Sequence, residues 1–148
     1  MKRYAVIDIS GDVGLRSYGE SLRDAFINAA IGMYSLITEL EMIREGKTIE
    51  IAVESDSLEG LLVSWLNELI FHFDAYGFIG KRITLTEFTP DAQEVRGENI
   101  QRLKATLSGE DFDPDRHERK LLVKAATYHR LSLEKRDGTW EIDVIFDI

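Results

Sequence analysis

Ser21-Leu22-Arg23-Asp24-Ala25-Phe26-Ile27-Asn28-Ala29-Ala30-Ile31-Gly32-Met33-Tyr34-Ser35-Leu36-Ile37 is the stretch that decides the fold. Ser21 stands three residues before Asp24, the capping-box spacing in which each side chain satisfies an otherwise unpaired amide at a helix start. Leu22, Ala25, Phe26, Ala29, Met33 and Ile37 then recur at helical spacing and predict one apolar face. Gly32 weakens the helix slightly and marks a place for close packing. A second pattern of the same kind lies downstream. Asp56 is its expected cap, with Glu59 three residues on, and Gly77 its expected stop. Leu58, Leu61, Leu62, Trp65, Leu69 and Phe73 form the stripe between them. Each buried large apolar side chain contributes roughly 1.5–3 kcal/mol, so two such stripes suffice to organise a core.

Around these helices the chain reads as strands. Tyr4 to Ile7 is a first strand, ending at Asp8, and Leu15 to Tyr18 a second, short one. Between them Asp8-Ile9-Ser10-Gly11-Asp12-Val13-Gly14 is rich in turn residues. Glu45-Gly46-Lys47 predicts a turn into a strand from Thr48 to Val53, with Ile49, Ile51 and Val53 facing one way. Phe78 to Phe88 and Val95 to Leu107 contain alternating segments on either side of Thr89-Pro90-Asp91. Leu121 to Glu134 and Thr139 to Phe146 follow, joined through Arg136-Asp137-Gly138, whose Asp-Gly pair is a strong hairpin signal. No internal repeat or low-complexity tract interrupts the pattern. The expectation is one α+β domain over residues 1–148, two amphipathic helices packed on a largely antiparallel sheet.

Composition narrows the function. A content of 44% hydrophobic and 30% charged residues argues against disorder. The absence of cysteine excludes disulfides, thiolate zinc sites and cysteine nucleophiles, and fits a reducing compartment. Met1-Lys2-Arg3-Tyr4 runs within a few residues into Asp8 and Asp12, which no signal peptide would do. No apolar run approaches the roughly 20 residues of a membrane helix, so a soluble, cytoplasmic protein is expected. The net charge of -9 opposes direct RNA binding, which relies on Lys and Arg against phosphates. Arg116, Arg119, Lys120 and Lys124 form one local basic cluster. An acidic chain is better suited to a basic protein partner or a metal cation.

The last strand carries the chemistry that such a charge suggests. In Trp140-Glu141-Ile142-Asp143-Val144-Ile145-Phe146-Asp147-Ile148, Glu141, Asp143 and Asp147 share one face, and Ile142, Val144, Phe146 and Ile148 the other. Asp147 lies beside the terminal carboxylate of Ile148, and Asp12 or Asp8 would bring the group to three or four carboxylates. Such a cluster repels itself unless protons or a cation intervene. Oxygen-only ligation selects calcium or magnesium over zinc. The same acids also read as turn formers and a solvated strand face. His72 on the second helix, His117 in a loop and His129 on a strand show no ligand spacing, and no hydrolytic triad or phosphate-cradling loop stands out.

Several motifs, in order along nearly the whole chain, are similar to those of the archease family. Asp8-Ile9-Ser10-Gly11-Asp12-Val13-Gly14 resembles its D-H-T-A-D-[VI]-G turn, and Gly19-Glu20-Ser21-Leu22-Arg23-Asp24-Ala25-Phe26 the capped helix after it. Leu61-Leu62-Val63-Ser64-Trp65-Leu66-Asn67-Glu68-Leu69 resembles its L-L-x-x-W-L-N-E-L run. Gly109-Glu110, Phe112-Asp113-Pro114 and Arg116-His117 follow, then Val123-Lys124-Ala125-Ala126-Thr127-Tyr128-His129 for V-K-A-x-T-Y-H. Val144-Ile145-Phe146-Asp147-Ile148 looks like the closing V-x-F-D-I. The resemblance implies the archease α+β fold and a divalent-metal site, usually calcium, at Asp12, Asp147 and the terminal Ile148. It also implies a non-catalytic role, as activator of the GTP-dependent RNA-splicing ligase of the RtcB type. That role is to promote the ligase's guanylylation and repeated turnover in tRNA splicing and RNA repair, with RNA touched only through the ligase. Lys124 and Asp8 are the further residues carried over as tip or partner contacts. Ile9, Ser10 and Gly11 depart from the family's histidine, threonine and alanine. Two other readings compete: a metal-dependent phosphohydrolase using Asp12 and Asp147, and a broader chaperone of RNA-processing enzymes.

Overall fold

The computed structural model describes residues 2–9, 11–90 and 99–148, and of Asp8 and Ile9 only the backbone. Among the described residues, eight strands and two long helices make up the fold: β1 Tyr4–Ile9, β2 Asp12–Gly19, α1 Leu22–Ile37, β3 Lys47–Ser55, α2 Leu58–Tyr76, β4 Phe78–Thr89, β5 Gln101–Asp111, β6 Ala125–Ala126, β7 Ser132–Arg136 and β8 Thr139–Asp147. A single 3₁₀ turn, Leu40–Met42, follows α1. The expected α+β architecture holds, with two antiparallel sheets in place of one.

The larger sheet runs β1-β2-β8-β6, with β7 also paired to β8, and the smaller runs β3-β5-β4. Helix α1 packs on β1, β2 and β8 of the larger sheet and on β4 of the smaller. Helix α2 packs on β3, β4 and β5 and reaches β6 of the larger sheet. Bridging two sheets requires more than one apolar stripe. Helix α1 accordingly buries Ala30, Tyr34 and Leu36 as well as the predicted Ala25, Phe26, Ala29, Met33 and Ile37. Trp65 of α2 is fully buried, and its indole N–H donates to the Phe26 carbonyl of α1 at 3.1 Å. Gly32 fits the close approach expected of it: a Cβ there would stand 2.8 Å from Leu15 Cδ2.

Helix α1 starts at the predicted cap, where Ser21 Oγ accepts from the Asp24 amide at 3.1 Å. The cap of α2 is Ser57 and not Asp56: Ser57 Oγ accepts from the Gly60 amide at 2.9 Å. Gly77 ends α2 in the left-handed region, φ 77, with its N–H donating to Phe73 O. The Asp137-Gly138 turn joins β7 to β8 with both φ positive, 51 and 80, as a two-residue hairpin requires.

Three strand expectations are corrected. The turn-rich stretch from Asp8 is mostly strand: Asp8 pairs with Val13 and Ile9 with Asp12, so β2 begins at Asp12 and not at Leu15. Leu121 to Glu134 is not one strand. The Lys120 and Leu121 amides donate to the Ile37 and Leu36 carbonyls at the end of α1, and only Ala125–Ala126 and Ser132–Arg136 pair in the sheet. His129 consequently sits in an exposed turn and not on a strand. Finally, β5 begins at Gln101 and extends past Leu107 to Asp111, while the expected strand residues from Val95 to Glu98 lie outside the described residues. Among the described residues no helix is long and apolar enough to cross a membrane.

Candidate functional site

Strand β8 is central, so its end is held from both sides. On one side Val13 pairs with Phe146 and Gly14 with Ile145, and continuing this register by one residue sets Asp12 opposite Asp147. On the other, Ala125 pairs with Asp147, and the Lys124 amide donates to the Asp147 carbonyl at 2.8 Å. The structure therefore brings Asp12, Asp147, Ile148 and Lys124 to one end of the larger sheet. Asp8 pairs through its backbone with Val13, one register row away, and its side chain lies outside the described residues.

Alternation places Asp12, Gly14 and Arg16 of β2 on the outward face, beside Asp147, Ile145 and Asp143 of β8. Ile142, Val144 and Phe146 face the helices and are buried. The outward acids differ sharply in company. Asp143 accepts two hydrogen bonds from Arg16, at 2.6 and 2.9 Å, an arrangement that pushes the guanidinium pKa further up. Glu141 lies 3.7 Å from Arg136. Asp12 and Asp147 have no ion-pair partner among the described residues, and Asp147 and Ile148 are exposed.

A residue that motif reading left without a role fixes this end of the sheet. Asn67 of α2 donates from Nδ2 to the Ala126 carbonyl at 3.3 Å and accepts from the Ala126 amide through Oδ1 at 2.8 Å. Its side-chain amide thus acts as one residue of a neighbouring strand and clamps two-residue β6 against α2. Thr127 adds two bonds to the Ile145 carbonyl, at 3.0 Å from its amide and 2.8 Å from its hydroxyl. An isolated two-residue strand has little stability of its own; this clamp supplies the rest. Lys124, exposed, borders an open groove of about 460 Å³ with Asn67, Ile70, Phe71, Asp74, Ala75 and Ala125.

The fit to a metal rests on this donor set. Asp12, Asp147 and the terminal carboxylate supply only oxygen, which suits calcium or magnesium. Among the described residues no three Asp, Glu or His side chains gather into a ligand group.

A second, buried polar centre stands apart from the tip. Glu110 of β5 receives Arg116, which also donates to the Met42 carbonyl at 3.0 Å, and lies 2.5 Å from His117 Nε2. The His117 side chain is fully buried, and its Nδ1 accepts from the Asp113 amide at 2.8 Å. With Nδ1 accepting, the ring proton resides on Nε2, toward Glu110. Burial pushes the Glu110 carboxyl up, but hydrogen bonds from Arg116 and His117 outweigh it and hold the group below the usual carboxylate range. Most of the basic cluster read from the sequence is engaged internally. Arg116 serves Glu110, Arg119 lies 5.0 Å over the Phe112 ring, and Lys120 lies 3.5 Å from Glu39. Lys124 alone of the four has no such partner among the described residues. His72 lies 3.4 Å from Glu68, one turn away on α2.

Comparison with known proteins agrees with the fold and the motifs. Residues 4–148 match the model of the archease protein family (MTH1598/TM1083). Protein archease of Pyrococcus furiosus is 35% identical over 149 residues, covering 100% of both chains. The solution structure of Methanobacterium thermoautotrophicum protein 1598 superposes with a TM-score of 0.81 at 28% identity, covering 100% of both chains. The crystal structure of a Thermotoga maritima archease, described as a possible chaperone, gives a TM-score of 0.60 at 17% identity, over 96% of this chain and 94% of that one.

Proposed function

The chain belongs to the archease family, and from that premise we propose that it is a non-catalytic accessory protein that activates a GTP-dependent, RtcB-type RNA-splicing ligase. In coarser form this is the chaperone-like role ascribed to the Thermotoga protein. In finer form, the acidic tip enters the ligase's basic, metal-containing active site and promotes guanylylation and repeated turnover in tRNA splicing. One observation carries the reading. Continuing the β2–β8 register sets half-buried Asp12 opposite exposed Asp147, neither with an ion-pair partner among the described residues, while Asp143 and Glu141 of the same strand face have arginines.

Asp12, Asp147 and the carboxylate of Ile148 would hold a divalent cation, calcium or alternatively magnesium, which would relieve their mutual repulsion. The chain's own residues do the positioning. Asn67 fixes β6, β6 fixes Lys124 beside Asp147, and β2 carries Asp12 across from it. Exposed Phe71, Tyr76 and Leu122 offer apolar contact near the Lys124 groove. The net charge of -9 supports encounter with a basic surface through complementary fields.

Multiple-turnover RNA ligation by the cognate ligase with GTP tests this proposal, with the intact chain beside Asp12→Ala and Lys124→Ala. The intact chain should stimulate, Asp12→Ala should not, and stimulation should weaken as ionic strength rises. Stimulation insensitive to salt would remove the electrostatic docking. No stimulation by the intact chain would place its function elsewhere and point to the departures at Ile9, Ser10 and Gly11.

A further inference from the structure

The two sheets leave their outer edges in different conditions. Strand β4, one edge of the smaller sheet, is broken by register shifts at Gly80/Arg82 and Leu85/Glu87. Bulges of this kind turn an edge away from further pairing. Strand β3, the opposite edge, pairs with β5 in unbroken register from Lys47↔Gly109 to Ser55↔Gln101. Among the described residues no strand lies on its other side. Lys47-Thr48-Ile49-Glu50-Ile51-Ala52-Val53-Glu54-Ser55 contains no proline and no bulge, and the one charge on its inward side is Lys47 at the strand's first position, held by Asp111 at 3.1 Å. Its inward row is Ile49, Ile51 and Val53, and its outward row is Thr48, Glu50, Ala52 and Glu54, all four exposed.

The residue pattern selects its own occupant. We propose that β3 pairs antiparallel with β3 of a second copy of this chain, across a twofold axis through Ile51. The two smaller sheets then become one six-stranded antiparallel sheet. In that register all nine residues pair: Ile51 opposes Ile51, Ile49 opposes Val53, Glu50 opposes Ala52, Thr48 opposes Glu54, and Lys47 opposes Ser55. No like charges stand directly opposite. Centring the axis on Glu50 sets Glu50 against itself, and centring it on Ala52 sets Glu50 against Glu54 twice. A one-residue slip would turn the inward apolar row onto the polar face of the joined sheet. Charge and alternation thus single out one full-length register. The glutamates that come together diagonally are moderated by β5 of each copy, where Arg102 lies 3.3 Å from Glu54 and Lys104 pairs opposite Ala52. Two chains of net charge -9 repel at long range, so association should strengthen with added salt.

Sedimentation velocity on the full chain tests the register by charge exchange. The intact chain should associate into a species of twice its 16.9 kDa mass, more readily at high salt. Ala52→Glu places a carboxylate opposite Glu50 twice across the axis and should weaken the dimer by roughly tenfold. The double variant Glu50→Lys, Ala52→Glu sets opposite charges there and should restore it. Ala52 is exposed and lies opposite Lys104 within its own sheet, so the variant chain keeps its fold, and far-ultraviolet circular dichroism verifies this. An intact chain that remains monomeric up to about 1 mM overturns the proposal. So does a dimer indifferent to Ala52→Glu, or a folded double variant that fails to reassociate.

Discussion

Two carboxylate centres in this molecule receive opposite treatment. Glu110 is drawn inward, with its side chain 14% exposed, and meets Arg116 and fully buried His117. Asp12 and Asp147 are brought to one end of a sheet, with no ion-pair partner among the described residues. The first arrangement draws Arg116 and His117 onto one carboxylate and holds the 110–117 segment at the end of β5. The second leaves two like charges in one register row, a destabilising juxtaposition, with nothing in the described chain to offset it. The acid that is paired in the interior helps hold the fold together. On the proposed reading, the unpaired two at the sheet end are where it meets a metal or a partner.

The sharpest test of that contrast removes one acid from each centre. Glu110→Ala leaves Arg116 and His117 without their carboxylate and should cost about 2–3 kcal/mol in denaturant unfolding, below the 3–5 kcal/mol of fully buried pairs because Arg116 is part-exposed. Asp147→Ala should abolish ligase stimulation while leaving unfolding within about 0.5 kcal/mol, as for surface changes away from structural contacts. If Asp147→Ala destabilised as much as Glu110→Ala, the contrast would fail.

Acid pH offers a gentler version. The folded-state pKa of Glu110 is depressed, so its stabilisation is full above the ordinary carboxylate value of 4.5 and is lost as pH falls through the lower folded value. Below that ordinary value the intact chain should lose stability faster than Glu110→Gln, in thermal melts at successive pH. Equal acid limbs would show that the carboxylate is not held as the geometry indicates.

Much of this architecture is legible in the residues themselves. Ser21, Gly77 and Asp137-Gly138 act through local chemistry, a cap or a positive φ, and each does what its type predicts. The shift of the α2 cap from Asp56 to Ser57 goes with a tight contact at the helix start. A Cβ at Gly60 would stand 2.2 Å from Ser55 Oγ, so the helix start is fitted to the end of β3. Alternation from Leu121 to Glu134 misleads because the amides of Lys120 and Leu121 find carbonyls on α1, about 80 residues back along the chain. The tip is legible as a strand of alternating acids with Asp12 or Asp8 beside it, while the β2–β8 register that brings Asp12 opposite Asp147 is not. Asn67 was visible only as one letter of a motif. Its two bonds to Ala126 depend on a helix meeting a strand far along the chain, which no local spacing announces.

The pairing of β2 with β8 has a consequence in time as well as in space. Residues 13–19 meet residues 140–146, while everything in the smaller sheet and both helices lies between Leu22 and Asp111. Closing so long a loop is slow compared with joining neighbours, so during refolding the smaller sheet should gain amide protection before β2 and β8 do. Pulsed hydrogen exchange would order the two events, and simultaneous protection would refute the sequence. The acidic tip is then the last part of the molecule to exist, and a chain that displays it has already finished folding.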